Sequence, residues 1–265
     1  MQRSVSCRLT ATVTTPTELV LGVAVAAGAA TTETLSVTLD GVAVGVREVA
    51  AEHGTRLHVA PDVGPGSLSV RYDAHVVGGT PPATMTDLDR LRYLRPSRYC
   101  ESDRLASFAR FEFRELTGKE LVDAVSSWVG MRVAYVEGSS RPIDGAVSTL
   151  LAREGVCRDF AHLVIAMLRA CDMPARLVSV YAPGLDPMDF HAVAEACVDD
   201  EWIVVDPTLL APRSTLLRIA TGRDAADTAF LSSTGDSLAL DDLTVSAITD
   251  DVLPIDDLTR SVRLS

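Results

Sequence analysis

Three residues distant in the chain have the types that nucleophilic acyl chemistry uses: the thiol of Cys157, the imidazole of His191 and the carboxylate of Asp206. The thiolate is the reactive form of cysteine. A helix N-terminus favours it, because unpaired N–H groups and the positive end of the helix dipole lie beside the sulfur. An imidazole can hold that thiolate as an ion pair and later give a proton to the leaving group. A carboxylate accepting the other ring N–H then fixes the tautomer. Taken singly, each residue has a plainer reading as a core cysteine, a strand histidine or a turn acid. What joins them is the elements that carry them.

Phe160, Leu163, Val164, Met167 and Leu168 recur at the spacing of one helical face, and Gly155 and Pro174 bracket the segment. On that helix Cys157 falls in the first turn, at the edge of the apolar face, and His162 falls on the opposite side. Leu177 to Tyr181, His191 to Val198 and Trp202 to Asp206 read as strands, the last two joined by an Asp199-Asp200 turn. A two-residue turn sets Val198 opposite Glu201 and Asp206 opposite Val193. His191 then lies diagonally from Asp206 on the same face, within side-chain reach, whereas a register one residue away would separate them. Pro207 ends the strand and leaves the carboxylate at the sheet's rim.

Upstream, alternating β-branched segments run over 5–13, 18–26, 33–39, 42–49, 57–59 and 68–75, with Asp40-Gly41 as a hairpin signal. They imply an antiparallel sandwich or half-barrel. Gly78-Gly79-Thr80-Pro81-Pro82 interrupts the pattern, and helical periods follow around Leu105, Phe108 and Ala109 and around Leu121 to Val129. Asp144 is the expected cap of a short helix through Leu151. The expected organisation is α+β, with a β-rich domain over 1–80 and a catalytic domain over 81–265. The apolar run Leu19 to Ala30 reads as strand rather than as a leader, and it is too short to cross a bilayer as a helix.

The net charge of -12 and the absence of any basic run argue against nucleic acid or an anionic membrane as partner. Five cysteines, with no Cys-x-x-Cys pair and no zinc-ligand spacing, suit a reducing compartment, and the cytoplasm is the expected location. Neither metal nor cofactor is expected.

GVCRDFAHL at 155–163, DFHAVAEA at 189–196 and WIVVDPT at 202–208 resemble the three core motifs of the transglutaminase-like superfamily, in the same Cys, His, Asp order. The segments around 181–192, 210–213 and 222–230 resemble its bacterial branch of cysteine-protease-like proteins. That resemblance implies a papain-like core, with a helix-borne cysteine packed on an antiparallel sheet behind an N-terminal β-region. It also implies Cys157 as nucleophile, His191 as base and Asp206 as its orienting acid. It leaves the reaction open, since amide cross-linkers, peptidases, deglycosylating amidases and catalytically dead binding modules share the fold. Arylamine acetyltransferases use the same order of residues with an acyl-CoA donor.

The expected activity is attack on an amide or peptide carbonyl of a peptide or protein substrate, with one oxyanion donor in the Cys157 N–H. Hydrolysis is expected to outrun amine transfer, because no aromatic-lined tunnel that excludes water is evident. Asp159, His162, Glu195, Arg213, Arg223 and Asp224 read as structural polar residues. Asp189 reads as a loop acid unless the His191 strand starts early, and Trp128 and Trp202 read as core.

Overall fold

The computed structural model describes residues 1–79, 82–235 and 237–264. Strict alternation makes the first strand: in β1 (Gln2–Val13), Val5, Cys7, Leu9, Ala11 and Val13 are buried between outward-facing neighbours. There follow β2 (Thr17–Leu21), β3 (Thr32–Leu39), β4 (Val42–Ala43), β5 (Arg47–Ala50), β6 (Arg56–Val63) and β7 (Gly66–Val77). The segment expected as one strand over 42–49 is thus two, and the strand expected over 18–26 stops at Leu21, although Val23 to Ala26 stay buried in the core. Asp40 and Gly41 turn the β3–β4 hairpin with φ of 50° and 79°, the left-handed pair that a two-residue turn needs.

Among the described residues six α-helices and eight further strands follow. They are α1 (Asp87–Tyr93), α2 (Ser102–Glu112), α3 (Gly118–Arg132), β8 (Ala134–Tyr135), α4 (Ala146–Ala152), β9 (Glu154–Gly155), α5 (Cys157–Ala170), β10 (Ala175–Tyr181), β11 (Phe190–Val198), β12 (Glu201–Val205), β13 (Leu217–Gly222), α6 (Ala225–Thr228), β14 (Leu231–Ser233) and β15 (Leu238–Thr249). Two antiparallel sheets, ordered β15-β1-β7-β3-β4 and β14-β2-β6-β5, share one apolar core and form the β-sandwich-like part of an α+β fold. Residues 231–233 and 238–249, to which the sequence reading gave no strand, supply an outer strand to each sheet. The expected boundary at Thr80-Pro81 lies outside the described residues, and the division into 1–80 and 81–265 is a proposal.

The third sheet, β12-β11-β10-β13, carries α5 on one face. The helix is not amphipathic in the ordinary sense. Every residue from Asp159 to Ala170 is buried, because α2, α3 and α4 close over the side that the sheet leaves open. Of the two structural roles open to His162, solvent-facing or buried polar, it takes the buried one. Asp144 does not cap α4 either: Gly145 holds that position, and the Asp144 carboxylate accepts the Arg141 N–H (2.9 Å) and guanidinium instead.

A buried ion cluster fixes the back of this sheet. Glu195 accepts from Arg176 Nε (2.7 Å) and from Arg218 Nη2 (2.7 Å) and Nη1 (3.2 Å). Arg176 lies over the Trp202 ring at 3.9 Å and meets His53 Nδ1 at 3.1 Å, which ties the sandwich to the α5 sheet. The structural hydrogen bond expected of Glu195 is present, and the carboxylate is wholly buried. Arg176 and Arg218 hold it well below the ordinary carboxylate range, against the upward pull of burial.

Candidate active site

Cys157 is the first residue of α5, so its backbone N–H has no acceptor within the helix. Asp159 prepares that helix start: its Oδ2 accepts the N–H of Val156, the N-cap residue, at 2.9 Å. Gly155 must stay small for the same reason, since a Cβ there would come within 2.6 Å of the Asp159 Cβ. β9, which delivers the chain to Cys157, pairs in parallel with β8, setting Tyr135 beside Gly155. The Tyr135 hydroxyl lies near the Cys157 N–H. Burial first, then the charge of Cys157, push the phenol's pKa up to about 12 against the opposing pull of that N–H.

The β11–β12 hairpin has the expected register, with Val198 opposite Glu201 and Ala194 opposite Val205 across a turn whose Asp199 and Asp200 both have positive φ. His191 Nε2 donates to Asp206 Oδ2 at 2.7 Å, both side chains buried. Thr208 donates its N–H (3.1 Å) and its hydroxyl (2.7 Å) to the other oxygen, Oδ1. Burial raises the Asp206 pKa, but His191 and Thr208 hold it below its ordinary value. For His191 burial pulls downward, and the Asp206 charge and hydrogen bond, with a further contribution from Cys157, raise it to about 10. Since Nε2 faces Asp206, Nδ1 is the ring nitrogen left for the sulfur.

Cys157 and His191 share a cleft of about 520 Å³ between the α5 sheet and the sandwich. Phe190 and Phe230 stack in its wall at 5.3 Å, and Tyr99 adds a third aromatic. The cleft is thus more aromatic than the sequence suggested, because Tyr99 and Phe230 come from segments far from the three motifs. A larger cavity of about 760 Å³ lies between α3 and the β12 edge and reaches Asp206, but neither Cys157 nor His191 lines it.

The sequence model of the transglutaminase-like superfamily matches residues 110–207, which span all three residues. A solved structure from Cytophaga hutchinsonii, described as a candidate cysteine protease, is 32% identical and superposes with a TM-score of 0.86. That match covers 97% of this chain and 93% of the other. The chain belongs to the transglutaminase-like superfamily. An uncharacterized Mycobacterium tuberculosis protein is 37% identical over 125 residues, covering 41% of this chain and 39% of that protein. An uncharacterized Mycobacterium leprae protein is 27% identical over 157 residues, covering 55% of this chain and 56% of that protein. The chain therefore spans well under two thirds of these curated relatives.

Within this transglutaminase-like core, the remaining polar residues act as struts. His162 Nε2 accepts the Ala225 N–H at 3.1 Å and the ring stacks on Tyr99 at 5.3 Å; burial pushes its pKa down to about 3. Asp224 accepts the N–H groups of Tyr99 and Ala226, Arg223 pairs with Asp227, and Arg213 pairs with Asp256 at 2.8 Å. Trp128 and Trp202 are core residues. Among the described residues Glu52, His53 and Asp89 stand close enough to share a cation. However, His53 is engaged at both nitrogens, by Asp89 and Arg176, and Glu52 pairs with Arg92.

Two neighbours of the site escaped the sequence reading. Thr208 carried a signal, since threonine two residues after an aspartate is a common local hydrogen-bonding pattern. Tyr135 carried none, because only the parallel β8–β9 pairing brings it to Cys157.

Proposed function

We propose that this protein is a cysteine-nucleophile enzyme that hydrolyses amide or peptide bonds. In this reading Cys157 attacks the carbonyl carbon and His191 protonates the leaving amine. Asp206 orients the imidazole, and water resolves the acyl-enzyme. The observation that carries it is His191: a buried imidazole held by Asp206 at 2.7 Å that lines one cleft with Cys157 at the head of α5. The Cys157 N–H and the Tyr135 hydroxyl support the developing oxyanion. Solvent access favours water as the acceptor, since Cys157 is only partly buried and Asp189, at the cleft wall, is exposed.

The cytoplasm is the proposed location, on the sequence's lack of a Cys-x-x-Cys pair or a paired cysteine framework. Among the described residues no helix is long and apolar enough to cross a membrane.

The test is labelling with a peptide-amide electrophile followed by mapping of the modified residue. The expected result is selective modification of Cys157, abolished in Cys157→Ser and slowed in His191→Ala. Modification confined to the partly exposed Cys171, or none, refutes the reading. A second measurement offers an acyl-peptide with excess lysine analogue; conjugate outrunning free acid would replace hydrolysis by amine transfer and leave the nucleophile unchanged.

A further inference from the structure

Asp189 stands immediately before β11, two residues from His191, and lines the cleft together with Cys157 and His191. Its Oδ1 accepts the Phe190 N–H at 2.7 Å, which fixes the side chain and leaves the second oxygen uncommitted. No described arginine or lysine pairs with it. Among the charges that act on it, His191 is the one positive group, and Glu137 adds a second negative charge nearby.

Besides His191 the cleft holds one further cation among the described residues, Arg158, which is only partly committed, since its buried Nε has no hydrogen-bond acceptor there. Its Nη2 donates to Ser140 Oγ (2.5 Å) and the Arg141 carbonyl (3.0 Å), and its Nε lies 3.9 Å from Asp159. Most of the rest of the wall is apolar, with Leu177, Phe190, Ile219 and Phe230 in it. Asp189 is exposed at the cleft mouth, but the apolar wall on its inner side removes part of its hydration and raises its pKa. A cation brought by the substrate would relieve that penalty, and a substrate anion would add to it.

We propose that Asp189 sets the charge specificity of the cleft, selecting substrates with an ammonium or guanidinium group close to the bond that is attacked. The proposal rests on the reading of Cys157 as the nucleophile. Asp189 is a specificity residue here and takes no part in proton transfer.

The test uses the full chain and three thiol reagents of one chemistry: trimethylammonioethyl, sulfonatoethyl and methyl methanethiosulfonate. Rates at Cys157 are followed by peptide mapping and divided by that of the neutral methyl reagent, with Cys171 as internal control. For charges about 8 Å apart at an effective dielectric of about 40, Coulomb's law gives about a fivefold factor per unit charge. The cationic-to-anionic rate ratio at Cys157 is therefore expected to fall by about tenfold or more in Asp189→Asn, which keeps the acceptor for the Phe190 N–H. It should return in Asp189→Glu and shrink in high salt. A ratio unchanged by Asp189→Asn overturns the proposal. Failure of Cys157 to outpace Cys171 with any reagent instead overturns the nucleophile reading, and this proposal with it. Quenched peptide pools with lysine, norleucine or glutamate fixed on the acyl side or the leaving-group side then place the cation. Equal cleavage of lysine and norleucine pools on both sides refutes cation selection of substrates. No cleavage of any pool refutes the hydrolytic reading, while the reagent ratios still decide the role of Asp189.

Discussion

Thr208 donates twice to one oxygen of Asp206, through its N–H at 3.1 Å and its hydroxyl at 2.7 Å, so that the other oxygen is left for His191. The threonine therefore sets the angle at which the carboxylate meets the imidazole. Thr208→Val keeps the shape and the backbone donor and removes the hydroxyl. Turnover is expected to fall by about tenfold, the order seen when a partner orienting a functional side chain is lost. Stability should drop by about 1 kcal/mol, the usual net worth of one hydrogen bond. Thr208→Ser should restore turnover. Equal turnover in wild type and Thr208→Val would leave the hydroxyl without an orienting role.

The His191 pKa gives a prediction with a definite sign. It is raised from 6.5 to about 10, so the imidazolium contributes stability that is complete below pH 6.5 and is lost as the pH climbs through about 10. Reactivity that depends on the imidazolium should decline over the same alkaline range. Asp206→Asn removes the charge and the acceptor that raise the pKa, leaving burial to pull it down. NMR titration of the His191 ring should therefore show a large downward shift in that variant, with the alkaline limb of the Cys157 alkylation profile following it. A His191 titration that stays where it was would remove Asp206 as the cause.

The Glu195 cluster predicts a stability effect without a chemical one. Glu195→Ala leaves Arg176 and Arg218 buried without their shared anion, and loss of one member of such a set costs about 3–5 kcal/mol. Chemical denaturation should show that loss. The variant, where it still folds, should alkylate at Cys157 at close to the wild-type rate, because the cluster touches neither the sulfur nor the imidazole. A cost below about 1 kcal/mol would mean that water reaches the two guanidinium groups.

How much of this was legible depended on whether the interaction is local. The register joining His191 to Asp206 could be read because a two-residue turn at Asp199-Asp200 fixes every later pair. Cys157 at a helix start followed from Gly155 and the apolar spacing behind it. Whether His162 is buried or solvent-facing could not be decided, since that depends on three helices closing over the far side of α5. Strands β14 and β15 were missed for a related reason: in β15 exposed residues such as Asp241 sit among the apolar ones, and only its partner β1 holds it in the sheet. Asp144 shows the converse, where a good capping residue was claimed by Arg141 and the glycine beside it took the cap.

Tyr135 supplies the last prediction. Its hydroxyl lies near the Cys157 N–H and burial raises its pKa to about 12, so it stays a neutral phenol, able to donate, at neutral pH. Under the proposed hydrolytic reading a substrate carbonyl oxygen needs donors where negative charge will develop, and the Cys157 N–H at the head of α5 is the first of them in that reading. In the hydrolytic reading proposed above, the nearby Tyr135 hydroxyl becomes the second donor. Tyr135→Phe keeps the ring against Phe160, whose centroid lies 6.0 Å away, so the fold should be unaffected. Removing one oxyanion donor typically costs about 100- to 1000-fold in kcat. A phenol exposed on one side should sit at or below the low end of that range. The loss should appear in kcat more than in KM, because the bond strengthens only as the carbonyl oxygen becomes negative. Direct alkylation of Cys157, which builds no oxyanion, should be far less affected than turnover. Equal losses in alkylation and turnover would instead assign Tyr135 to holding the thiol.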